Sequence, residues 1–178
     1  MCKRRKTSQT GFTLIEIMVA VSIVGIASAI AVPSYLQWNA RYQLRQATSD
    51  LQSNLLQARM AAKNTNTAVT AAFNKAANGT YSVAFGGTLA PVNLPNSVTG
   101  GSMILVATLG PPPTTNVTDF ASSPPGPLGT IGFSQQGLRV AGGIGNQTVT
   151  LTSVDGTTYS VVVAPSGKIN WCPRSTCP

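Results

Sequence analysis

After a basic leader, residues 1–10, the chain turns apolar over residues 12–32, interrupted by a single charge, Glu16. As a helix rising about 1.5 Å per residue, this run spans roughly 30 Å, the thickness of a bilayer's hydrocarbon core. Residues 34–64 keep a helical pattern but become striped. Leu44, Leu51, Leu55, Ala58 and Ala62 recur every three, four or seven residues, with Arg41, Arg45, Gln52, Arg59 and Lys63 on the other faces. Pro33 falls inside this long helix and is expected to kink or locally unwind it. The Asn64-Thr65-Asn66-Thr67 cluster ends it. Short β-prone segments follow, at 68–74, 80–85, 103–109, 130–134, 148–154, 157–164 and 168–171. Asp155-Gly156 reads as a two-residue hairpin turn and Pro165-Ser166-Gly167 as the turn before the last strand. Two proline-rich stretches, Pro111-Pro112-Pro113 and Ser123-Pro124-Pro125-Gly126-Pro127, bracket an expected exposed loop at about 110–128. The pattern predicts an α+β chain whose long helix lays its stripe on an antiparallel sheet. The divisions are a leader (1–11), a membrane or filament-core helix (12–33), its amphipathic continuation (34–64) and a β-rich domain (65–178).

Composition adds a compartment. Only 9% of the 178 residues are charged, against roughly 25% in an average soluble domain. That deficit suits a secreted or packed surface. The formal charge of +8 misleads, because Lys3, Arg4, Arg5 and Lys6 carry half of it and lie in the leader. There they act as a topology signal holding that end on the cytoplasmic side. Cys172 and Cys177 flank a short Pro-containing loop and read as a disulfide formed in an oxidising compartment. A metal site is the alternative, but two thiolates alone cannot complete a four-ligand zinc shell, and the chain has no histidine.

Residues 1–33 admit three readings. One is a secretory signal peptide cut after Ala27-Ser28-Ala29; another is an uncleaved anchor; the third is a short leader cut after Gly11. Neither of the first two benefits from a carboxylate inside the apolar run, which is costly in lipid.

Gly11-Phe12-Thr13-Leu14-Ile15-Glu16, behind a basic leader, resembles the processing site of type IV pilins and pseudopilins, as does Pro33 at the twenty-second position after the cut. The resemblance implies that a prepilin peptidase cleaves between Gly11 and Phe12 and methylates the new amine. Glu16 would then pair with the Phe12 amine of a neighbouring subunit, setting register between stacked helices. It also implies an inner-membrane precursor, N-terminus cytoplasmic and C-terminal domain periplasmic, that later joins a pilus or pseudopilus with other pilin subunits.

Residues 49–63, together with the hairpin and Pro165-Ser166-Gly167-Lys168 turn near the end, resemble the GspH/FimT-type subgroup of minor pilins and pseudopilins. This implies a minor type IV pilin-like subunit. A minor pseudopilin of type II secretion is the alternative, as is a FimT-like, DNA-binding minor pilin for DNA uptake. DNA contact would fall to Lys168 and Arg174 with Arg139, but Lys168-Ile169-Asn170 stands where DNA-binding members carry a second arginine.

An enzyme is not expected. Without histidine there is no Ser-His or Cys-His couple, and the usual base near neutral pH is missing. Asp155 suits a turn and Asp50 a solvated helix position. The Gly142-Gly143-Ile144-Gly145 run lacks the lysine and helix of a phosphate-cradling loop. No cofactor or metal is expected.

Overall fold

The computed structural model describes residues 11–87, 89–106, 115–140, 145–175 and 177. The basic leader, the triple proline 111–113, residues 107–109 of one expected strand and residues 142–144 of the glycine run lie outside the described residues. The chain divides into two compact units, Met1–Trp38 and Asn39–Pro178.

Helix α1 runs Leu14–Thr65. Within the first unit every large apolar side chain from Phe12 to Val32 is exposed. Helical hydrogen bonding continues on both sides of Pro33, so the expected local unwinding does not occur. One missing N–H is a local loss that the adjoining turns absorb. The helix stops where the Asn/Thr cluster predicts: Asn66, just past its end, takes φ 52°, the left-handed cap conformation asparagine tolerates.

Among the described residues of the second unit, ten strands form two five-stranded antiparallel sheets rather than one. They are β1 (Val69–Lys75), β2 (Tyr81–Phe85), β3 (Val92–Asn93), β4 (Val98–Val106), β5 (Thr115–Asp119), β6 (Gly126–Phe133), β7 (Arg139–Val140), β8 (Gln147–Ser153), β9 (Thr158–Val163) and β10 (Ile169–Cys172). The orders are β3-β2-β1-β6-β7 and β10-β9-β8-β4-β5. One core joins them. Leu44, Leu51, Leu55, Ala58 and Ala62 of α1 are fully buried in it with Ala71, Phe73, Val83, Ile131 and Phe133 of the first sheet and Val149, Leu151, Val161 and Val163 of the second. Each large aliphatic side chain there contributes about 1.5–3 kcal/mol. A bulge at Leu128, opposite Phe73/Asn74, shifts the alternation of β6 so that Leu128, Ile131 and Phe133 all face inward.

The expected loop at about 110–128 is corrected. Its middle is β5, an edge strand paired with β4, and Phe120 behind it is fully buried. Its end, Gly126-Pro127, already belongs to β6. Edge pairing demands little apolar sequence, and Pro is tolerated at a strand's start. What organises the connection is polar: the Lys75 ammonium donates to the carbonyls of Phe120, Ala121 and Ser123 at 3.0, 2.9 and 2.8 Å.

The turn at Asp155-Gly156 is also corrected. The loop holds three residues, Val154 to Gly156, closed by Gly156 N–H to Ser153 O (2.9 Å) and Ser153 N–H to Thr157 O (3.0 Å). A two-residue turn of the favoured type needs positive φ at both positions; here only Gly156, at 77°, has it. The same arrangement closes the hairpins at Ala76–Thr80, Ser134–Leu138 and Ala164–Lys168.

Candidate assembly site

Gly11 precedes the helix with open space around its α-carbon, and Phe12 is 78% exposed. The helix is started by Thr13, whose Oγ1 accepts the Glu16 N–H (3.3 Å) while its carbonyl accepts the Ile17 N–H (3.3 Å). Thr-Leu-Ile-Glu is thus a capping-box sequence with Glu16 at its third helical position. A carboxylate there is favoured by the positive end of the helix dipole. Among the described residues Glu16 has no ion-pair partner, and its side chain is exposed. Pro33 is exposed at the far end of the apolar run. An amine at residue 12 would be a cation beside a positive helix end, an arrangement that a carboxylate would offset.

The Cys172 and Cys177 sulfurs are bonded to each other. The loop they close folds onto the outer face of the second sheet. There Ser160 Oγ donates to the Arg174 carbonyl (2.6 Å) and Thr150 Oγ1 to that of Ser175 (3.2 Å).

The three cations singled out for DNA do not converge. Lys168, before β10, and Arg174, after it, are exposed at opposite ends of the strand. The Arg139 guanidinium is half-buried and donates to the Gly145 carbonyl (2.6 Å), and burial lowers its pKa below the usual arginine value. The backbone N–H of Arg139 donates to Pro165 O (3.1 Å), bringing β7 against the turn that precedes Lys168.

Sequence reasoning treated Arg59 as surface decoration, yet it ties the two sheets together. Its Nε donates to Gly137 O (2.8 Å) in the β6–β7 turn and its Nη2 to Ser166 O (3.3 Å) in the β9–β10 turn. The two turns touch so closely that a Cβ at Gly167 would overlap the Gly137 carbonyl. The pairing of Arg41 Nε with Asp155 Oδ2 (2.8 Å) was likewise unforeseen. It holds the Asp155 carboxyl at about 2, chiefly through the Arg41 hydrogen bond, with Thr157 assisting. No local signal announces partners 114 residues apart.

Two family models match the chain. The prokaryotic N-terminal methylation motif covers residues 6–32, and the type II transport protein GspH covers residues 47–167. A fimbrial protein of Pseudomonas aeruginosa is 50% identical over 44 residues, 25% of this chain and 29% of that protein. The type IV major fimbrial protein FimA of Dichelobacter nodosus is 49% identical over 45 residues, 25% and 29% of the two chains. The type IV major pilin protein PilE1 of Neisseria gonorrhoeae is 51% identical over 41 residues, 23% and 25% of the two chains. The chain thus spans less than a third of the length of these relatives. Among solved structures, the type IV minor pilin FimU of Pseudomonas aeruginosa aligns with a TM-score of 0.48 at 15% identity, covering 79% of this chain and 96% of that one.

Proposed function

Because the chain belongs to the family of the type II transport protein GspH and carries the N-terminal methylation motif ahead of it, we propose that it is a minor type IV pilin-like subunit, built into a pilus filament or priming one. The observation that carries this reading is the exposed apolar run behind a capped helix start, with an unpaired Glu16 among the described residues. Prepilin peptidase cuts after Gly11 and methylates the Phe12 amine. The precursor waits in the inner membrane, leader cytoplasmic and β-rich domain periplasmic, where the Cys172–Cys177 bond suits the oxidising compartment. In the filament, Glu16 pairs with the Phe12 amine of a neighbouring subunit. In apolar surroundings, leaving either charge alone is far costlier than pairing them.

A minor pseudopilin of type II secretion is the second reading, favoured by the description of the matched family. It uses the same processing and the same helix chemistry. Contact with DNA would fall to Lys168 and Arg174, and two phosphate partners support only weak, salt-sensitive attachment. Assembly is therefore the function adopted.

Mass spectrometry of the mature protein tests the reading. The expected N-terminus is a methylated Phe12; a chain starting at Ile30 would overturn it in favour of a cleaved signal peptide.

A further inference from the structure

Just beyond the apolar run, the helix carries two aromatic side chains one turn apart. Tyr35 and Trp38 are each 62% exposed, with ring centroids 6.2 Å apart and planes inclined by 36°. Exposed Leu36 lies between them. Residues 17–40 carry no charge, and the first cation after Glu16 is Arg41.

The axial spacing fits a membrane surface. Residues 12–32 span about 30 Å, one hydrocarbon core. Tyr35 and Trp38 follow Val32 by about 4.5 and 9 Å along the helix, and helical side chains lean back toward the N-terminus. Both rings therefore fall in the headgroup zone, about 5–8 Å deep on each side of a bilayer. Rings with an apolar body and one hydrogen-bonding group favour that zone. We infer that Tyr35 and Trp38 form an interfacial anchor that fixes the depth of the helix in a phospholipid bilayer before assembly, at the end of the span nearer in sequence to the β-rich domain. Continuity with the apolar run identifies lipid as the occupant of this face. The inference rests on the membrane-staged reading of residues 12–32. At the other end, the Phe12 amine meets the opposite surface.

Depth-resolved quenching tests it. The Trp171→Phe variant of the full-length mature protein leaves Trp38 as the one tryptophan. It is reconstituted at low protein-to-lipid ratio in phosphatidylethanolamine/phosphatidylglycerol vesicles brominated near either the carbonyl or the methyl end of the acyl chains. Should Trp171→Phe fail to fold, the difference between wild type and Trp38→Phe gives the same reading. Flotation of the same samples reports membrane association independently. The expected result is flotation, with greater loss of Trp38 emission to the shallow bromines than to the deep ones. Flotation with stronger deep quenching, or with none, overturns the anchor while the membrane reading stands. Shallow quenching that appears only at high protein-to-lipid ratio assigns the rings to a second copy and also overturns it. Absence of flotation overturns both.

Discussion

The two halves of α1 are both rich in apolar residues and treat them in opposite ways. Up to Val32 the large apolar side chains surround the helix and all are exposed; from Leu44 on, Leu44, Leu51 and Leu55 form one fully buried stripe, with Leu56 and Met60 left exposed beside it. The distinction lies in distribution rather than hydrophobicity. A stripe matches a partner that occupies one side, here the chain's own sheets, whereas an all-round coat matches surroundings that enclose the helix. Lipid before assembly and neighbouring helices after it are such surroundings.

The sharpest contrast comes from equivalent truncations in the two halves. Leu51→Ala in the full chain in detergent is expected to destabilise the β-rich domain by about 2–5 kcal/mol, measured by thermal unfolding. Ile23→Ala, an equally large cut in the exposed half, should leave that transition within about 0.5 kcal/mol of wild type. Equal losses would break the distinction.

The striped half also acts through polar groups. Gly167→Ala places a methyl against the Gly137 carbonyl at a residue with φ 77°, and is expected to cost more than about 1 kcal/mol. Arg59→Met, which keeps the aliphatic stem and removes the donors, should cost about 1–3 kcal/mol. Hydrogen exchange in that variant should quicken in the Ser134–Leu138 and Ala164–Lys168 turns, and unchanged exchange would remove Arg59 from its tying role.

Legibility followed the same divide. The buried stripe was readable because burial on a helix leaves a period in the sequence, and all five of its named residues are fully buried. The N-terminal methylation motif was readable because its residues occupy consecutive positions at a helix start, and the proposed cleavage and pairing sites lie within it. The division into two sheets was not, since strand segments such as β3 and β7 are two residues long and carry no alternation. Nor were Lys75, Arg59 and Arg41, whose partners are backbone carbonyls or a distant turn. A lysine that grips three carbonyls looks in sequence like any exposed lysine. The loop at about 110–128 was misread because the short edge strand β5 carries little periodicity between the two proline-rich stretches, and Pro127 stands at the start of β6, where proline is tolerated.

The smallest effect lies at Arg41–Asp155. Folding depresses the Asp155 pKa from 3.8 to about 2. The pair's stabilisation is therefore complete above about pH 4 and lost as pH falls toward 2. Arg41 is 60% exposed, so solvent screening holds the contribution below about 1 kcal/mol. Asp155→Asn should flatten that part of the acid-unfolding profile while leaving the pH 7 transition within about 1 kcal/mol of wild type. An unaltered profile would mean that the pair contributes nothing.

The most direct test of the exposed half as an assembly element is Glu16→Ala, scored by the amount of subunit in sheared filaments against the amount in the membrane fraction. The account predicts normal processing and membrane insertion with a marked loss from filaments, because the Phe12 amine of the neighbouring subunit is left without its carboxylate. Incorporation of Glu16→Ala at the wild-type level would contradict it.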